Sequence, residues 1–178
     1  VVDWAVETAR AASDGVVVVL PATHAHNEKG VVGGSTRSAS VRSGLAAVPL
    51  EASIICVHDA ARPFASEFLF HEVVDAVCAG ADGAVPAIPV ADTIKVVDDT
   101  GQVMRTPPRG SLRAVQTPQA FRAEVLRRAH AEQGEGTDDA ALVEALGGKV
   151  VVVDGDMLNR KITTRDDLDW ARIQQSGH

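Results

Sequence analysis

An alternation constrains this chain more than any other feature. Short apolar runs at 16–20, Ile54–Val57 and 83–88 are separated by stretches whose apolar residues recur at helical spacing. The runs read as buried strands of the kind found in parallel sheets. Helices are expected over 1–12 (Val2, Ala5, Val6 and Ala9 on one face), after Ser35 (Val41, Leu45, Val48), and from Ser66 to about Ala79 (Leu69, Val73, Val74, Val77). Gly15 and Gly80 are the expected stops. Helix, strand, helix, strand, helix, strand is the order of an α/β domain in three layers with a mainly parallel sheet. Residues 22–30 read as a polar loop, and Val31-Val32 as a brief strand.

Residues 89–116 break the alternation. A strand-like 93–97, a turn at 98–101 and a return at 102–105 read as a hairpin leaving the sheet, followed by a stiff Thr-Pro-Pro-Arg-Gly link. This β-arm at about 89–111 either packs on a second subunit or is a surface excursion. A strand at 112–116 precedes Thr117-Pro118-Gln119 and a helix with Val125, Leu126 and Ala129 inward. Residues 134–136 read as a loop. Thr137 is the expected N-cap of the next helix, with Asp138 and Asp139 on its dipole. A last strand at 150–153, a loop at 154–161 and a helix capped by Thr164, with Leu168 and Ile173 inward, complete the chain.

Composition narrows the class. The 178 residues suit one domain, 1–178, and 46% of them are hydrophobic. A net charge of −7 argues against nucleic acid, which needs a broad basic face. No apolar run is long enough for a membrane span. Cys56 and Cys78 read as small buried residues of a reducing, cytoplasmic compartment, and no Cys/His set has zinc spacing.

The chemistry gathers where strands end. Ile54–Val57 stops on His58-Asp59-Ala60-Ala61-Arg62-Pro63. A carboxylate at the carboxyl edge of a sheet can hold Mg²⁺ together with substrate phosphates, and Arg62 can fork onto a phosphate. The plain alternative is a surface ion pair between Asp59 and Arg62. Gly33-Gly34 opens a helix whose first turn carries Ser35, Thr36, Arg37 and Ser38, suited to an anion or a base, or to ordinary capping. Residues 35–40, 59–62, Thr117, Thr137 and Lys161 would share one sheet edge. Such a set suits phosphoryl or nucleotidyl transfer, where catalysis is positioning plus charge neutralisation. His58 and Asp59 are neighbours on a strand and point opposite ways, so His58 reads as structural.

These pieces together resemble the 2-C-methyl-D-erythritol 4-phosphate cytidylyltransferases of the non-mevalonate isoprenoid pathway. The resemblance rests on Gly33-Gly34 with Arg37 and Ser40, on 57–63, on Asp92-Thr93-Ile94-Lys95, on Arg109 ahead of Gln116-Thr117-Pro118-Gln119, on Thr137-Asp138-Asp139 and on 159–164. It implies a Rossmann-like nucleotidyltransferase domain that works as a homodimer with Mg²⁺, joining CTP to methylerythritol 4-phosphate with release of pyrophosphate. It assigns catalysis to Asp59, Arg62 and Lys161, and Mg²⁺ to Asp59. It gives the nucleotide to Gly33, Gly34, Ser35, Ser40, Asp59 and Ala60. The acceptor falls to Asp59, Arg62, Thr117, Thr137 and Lys161, with Thr93 and Arg109 reaching the neighbouring subunit's site. Two departures stand out. The family's glycine-rich triphosphate loop does not precede Val1, so this polypeptide is expected to bind CTP poorly and to be weakly active or inactive. Ser35 stands where the family often has Asp. The rival readings are a ribitol-5-phosphate cytidylyltransferase and a non-catalytic interaction protein on the same fold.

Overall fold

The computed structural model describes residues 1–28, 30–132 and 135–176. Lys29, of the expected 22–30 loop, and Gly134, of the expected 134–136 loop, lie outside them.

Strand β4 (Gly83–Pro89) is the spine of a five-stranded sheet. Helix α4 (Glu67–Cys78) leads into it. The Ser66 hydroxyl accepts from Leu69 N–H at that helix's start, and Gly80 at φ +110 ends it in the left-handed region, as the sequence suggests. On one side β4 pairs in parallel with β9 (Val150–Asp154). On the other it meets two short strands in line, β7 (Arg113–Val115) and β8 (Gln119–Arg122), both antiparallel. Strand β3 (Ile54–Val57) then pairs antiparallel with β8, Val57 opposite Gln119. The sheet is therefore mixed, not mainly parallel, and Ile54–Val57 is not a parallel strand. The reason is β8. Its polar ends, Gln119 and Arg122, hide a four-residue strand that reverses the direction of pairing.

Two apolar layers close on this sheet. Side chains alternate across a strand, so Val85 and Phe121 face one way and Ala84 and Ala120 the other. The first face packs with Leu126 of α5 (Ala123–Ala131), Val143 of α6 (Asp139–Ala145) and Leu45 of α3 (Arg37–Ala47). The second face packs with Val73 and Val77 of α4. Phe121, Leu126, Val73 and Val143 have no solvent exposure, each worth about 1.5–3 kcal/mol of burial. Gly83 makes room for this: a Cβ there would stand 2.6 Å from the Phe121 ring. The three-layer expectation holds.

Elsewhere several expectations are corrected. The first helix, α1 (Val2–Ala11), ends on Ala12, whose N–H donates to Thr8, and not at Gly15. The expected strand at 16–20 is two residues long, β1 (Val19–Leu20), parallel to β2 (Val31–Val32). Between them lies a helix, α2 (Ala22–Glu28), not a loop. Asp138, not Thr137, caps α6, its carboxylate accepting from Ala141 N–H. Ile173 of the last helix, α7 (Arg165–Ser176), is 67% exposed, while Ala171 is buried. Cys78 is exposed.

The expected hairpin is present as β5 (Val96–Val97) and β6 (Val103–Arg105), a two-stranded sheet of its own. Asp98 closes its turn, accepting from the N–H groups of Thr100 and Gln102. Val97, Val103 and Met104 on it are exposed. Among the described residues no helix is long and apolar enough to cross a membrane.

Candidate active site

The chain between β7 and β8 is pinned by Gln116 N–H, which donates to the Pro86 carbonyl at 2.7 Å. The turn that follows sets Thr117 beside the end of β3. There the Thr117 hydroxyl accepts from Asp59 N–H at 3.0 Å and donates to His58 Nδ1 at 3.0 Å. His58 Nε2 donates to the Arg62 carbonyl at 3.1 Å. A neutral imidazole satisfies both contacts, and burial pushes His58 down to about 4 despite the raising pull of that carbonyl and of Asp59. His58 is the structural residue the sequence suggests. It locks the turn that carries Asp59 and Arg62.

A second lock places Lys161. The Gln116 amide group donates to the Asp156 carbonyl at 2.8 Å and accepts from Asp156 N–H at 3.1 Å. Asn159, fully buried, donates to the Thr117 carbonyl at 2.8 Å. Arg62 donates to the Asn159 carbonyl at 2.8 Å, and Ile162 N–H to the Ala61 carbonyl at 2.7 Å. The loop after β9 is thus stitched to the loop after β3. Lys161 Nζ reaches Asp59 Oδ2 at 2.8 Å. From below, Asp167 accepts from Thr163 and Thr164 N–H and from the Thr163 hydroxyl, which hold its carboxyl far below the usual range, and it pairs with Arg160.

Arg37 enters from the start of α3. Its Nε stands 3.5 Å from Asp59 Oδ1, and its other arm pairs with Asp139 at 2.8 Å. Behind Asp139, His130 Nε2 lies 2.8 Å from Oδ1. Burial alone would raise the Asp59 carboxyl, but the Lys161 hydrogen bond and charge, with Arg37 and Arg62, outweigh it and hold Asp59 below its ordinary value. Arg37 stays charged, the burial that disfavours its cation being outweighed by Asp139 and Asp59.

Arg37, Asp59, Arg62 and Lys161 line a cleft of about 230 Å³ with Gln116, Thr117, Gln119, Thr137 and Asp138. The structure brings together Asp59, Arg62, Thr117, Thr137 and Lys161, all singled out from sequence. The surface pair between Asp59 and Arg62 does not form: Asp59 binds Lys161 and Arg37, and Arg62 spends its arms on the Asn159 and Val115 carbonyls. Two guanidinium nitrogens, Arg37 Nη1 and Arg62 Nε, are buried without a partner among the described residues. Gly33, Gly34, Ser35, Ser40 and Ala60 do not line this cleft. Gly34 is required by packing, since a Cβ would meet that of Ala39 at 2.4 Å, and Ser40 Oγ accepts from Gly34 N–H at 3.1 Å. Thr93 and Arg109 stand away from the cleft, and Arg109 donates to the Ala91 carbonyl at 2.8 Å. Sequence reading missed Gln116, Gln119, Asp138 and Asp139 as parts of the site. Their signal was the cluster of polar residues that have no place in an apolar core.

Among the described residues no group of three His, Cys, Asp or Glu side chains is arranged to hold a metal. Asp59 alone fits Mg²⁺ as a shared ligand, because that ion accepts one carboxylate when substrate phosphates and waters complete its shell.

A family model described as IspD: 2-C-methyl-D-erythritol 4-phosphate cytidylyltransferase matches residues 2–175. The enzyme of that name from Nocardia farcinica is 52% identical over 141 residues, covering 79% of this chain and 61% of its own length. The one from Rhodococcus opacus is 46% identical over 178 residues, covering 94% of this chain and 78% of its own. The chain thus spans less than two thirds of the Nocardia relative. The crystal structure of 2-C-methyl-D-erythritol 4-phosphate cytidylyltransferase from Thermus thermophilus superimposes with a TM-score of 0.86 at 37% identity, over 98% of this chain and 88% of that one. The resemblance read from six separated motifs is borne out, and the chain belongs to the 2-C-methyl-D-erythritol 4-phosphate cytidylyltransferase family.

Proposed function

We propose that the chain serves nucleotidyl transfer from CTP to 2-C-methyl-D-erythritol 4-phosphate in isoprenoid precursor synthesis, as one nucleotidyltransferase domain of a cytoplasmic homodimer. The observation that carries this is the meeting of Asp59 and Lys161 at 2.8 Å across 102 residues, in a cleft shared with Arg62, Thr117 and Thr137. A carboxylate bridged by cations, a further guanidinium and two hydroxyls are the chemistry that phosphates and a polyol need.

In this reading the acceptor's phosphate oxygen attacks the α-phosphorus of CTP. That P–O bond forms as the bond to the pyrophosphate leaving group breaks. Arg62, held by two carbonyls, orients the acceptor phosphate. Lys161 exchanges Asp59 for phosphate oxygen as negative charge arrives. Asp59 would hold Mg²⁺, which when bound neutralises charge on the phosphates. Thr117 and Thr137 orient the polyol. Gly33, Gly34, Ser35, Ser40 and Ala60 take the nucleotide on the β2–α3 side, Ser35 replacing the carboxylate frequent in the family. The hairpin of one copy carries Thr93 and Arg109 to the other copy's cleft.

The test is Mg²⁺-dependent pyrophosphate release from CTP with methylerythritol 4-phosphate or ribitol 5-phosphate. It is run on this chain and on one preceded by the glycine-rich segment of a relative. Release in the longer chain with the first acceptor alone is expected. Preference for ribitol 5-phosphate would reassign the acceptor, and no release with either would leave the interaction-protein reading.

A further inference from the structure

Asp139 is a carboxylate with no solvent exposure, in the first turn of α6. Burying a charge is costly unless it is paired. Helix capping does not account for it, because Asp138 already accepts from the helix N–H. Asp139 instead turns to two other elements: Oδ2 forms an ion pair at 2.8 Å with Arg37 of α3, without hydrogen-bond geometry, and Oδ1 is hydrogen-bonded at 2.8 Å to His130 of α5. His130 is also buried, and its Nδ1 has no partner among the described residues. The ring is therefore oriented by the carboxylate contact.

The two cations at Asp59 are consequently unlike. Lys161 is 45% exposed and, among the described residues, its tip is held by Asp59. Exposed pairs of this kind exchange at little cost. Arg37 is less exposed and is tied from behind to a buried carboxylate, which cannot be left unpaired cheaply.

We propose that Asp139, oriented by His130, is a positioning residue that anchors Arg37, so that Arg37 keeps Asp59 Oδ1 in place while Lys161 is the cation that moves to incoming phosphate. This deepens the transferase reading and rests on it. The geometric part, Arg37 held through Asp139, stands without it.

The test uses ligand-free protein and protein turning over CTP. Solvent exchange of the Arg37 Nε–H is followed by ¹⁵N NMR, with the signal assigned by its loss in Arg37→Lys. Asp139→Asn and His130→Leu should speed that exchange roughly tenfold or more. His130→Gln keeps a donor near the Nε2 position and should restore protection. In turnover, Asp139→Asn should lower kcat roughly tenfold to hundredfold, with KM for CTP within about twofold. Unchanged Arg37 exchange in both Asp139→Asn and His130→Leu would overturn the proposal. So would equal damage from His130→Gln and His130→Leu, which would reduce His130 to packing. If Asp139→Asn does not fold, the two His130 variants decide the matter. The turnover arm uses the chain preceded by the glycine-rich segment of a relative; if that longer chain releases no pyrophosphate, the transferase reading fails while the exchange data still decide whether Asp139 anchors Arg37.

Discussion

The Gln116 side chain binds both backbone groups of Asp156, donating to its carbonyl at 2.8 Å and accepting from its N–H at 3.1 Å. The contact ties the loop that carries Lys161 to the chain between β7 and β8. Gln116→Ala leaves the half-buried Asp156 N–H unpaired, and Asn159 loses a neighbour at 3.4 Å. It should cost about 1–3 kcal/mol in urea unfolding and weaken acceptor use more than nucleotide use. An unaltered midpoint would show that water replaces the amide.

Acid should destabilise the fold through His58 before it reaches the carboxylates. The folded-state imidazole is held near 4 and the unfolded one near 6.5. Between these values the unfolded chain binds the extra proton. This contribution is therefore complete above 6.5 and is lost as pH falls toward 4, with a ceiling of order 3 kcal/mol. Urea titrations from pH 7.5 to 4.5 in EDTA, compared with His58→Gln, measure it. An equal slope in the variant would assign the loss to other groups.

The two thiols should separate cleanly. Burial pushes Cys56 up to about 12, whereas Cys78 is exposed. A disulfide reagent at pH 8 should modify Cys78 within minutes and Cys56 only in denaturant. Rapid reaction of both would mean that β3 opens readily.

The hairpin prediction concerns assembly. Val97, Val103 and Met104 are exposed on the two-stranded sheet of β5 and β6. Val97→Asp with Met104→Asp should leave the melting temperature within a few degrees and shift sedimentation from dimer to monomer. Wild-type protein that sediments as a monomer would remove the hairpin from the dimer reading. Arg109→Ala should in turn weaken acceptor use more than CTP use, and equal loss of both would count against it as a phosphate ligand.

Much of the site was legible because its residues follow strands. Asp59 and Thr117 stand just past strand ends and Lys161 in the loop that follows β9, places that sequence marks well. Arg37 and Asp139 were not legible as a pair. Each reads locally as a helix-start residue, and 102 positions divide them. The N-cap of α6 was misjudged by one residue because Thr137 and Asp138 both cap well. Gln119, donating to Asp138 Oδ2 at 2.9 Å, decides it through tertiary contact. Strand β8 was missed because it is short with polar ends, and α2 because its residues show no apolar period. Ile173 has the right spacing to face inward, but the buried contact of that helix is made at Ala171.

The cleft's ion pairs also fix how binding should respond to salt. Arg37, Arg62 and Lys161 are matched in number by Asp59, Asp138 and Asp139, so without ligand the site is nearly self-neutralised. A phosphate arriving there trades places with a carboxylate; it does not fall into an open positive well. Added salt loosens the internal pairs as well as the new ones. The affinity for a phosphate ester should therefore decline with ionic strength more gently than three unpaired cations would require, and the cleft should discriminate by fit more than by charge.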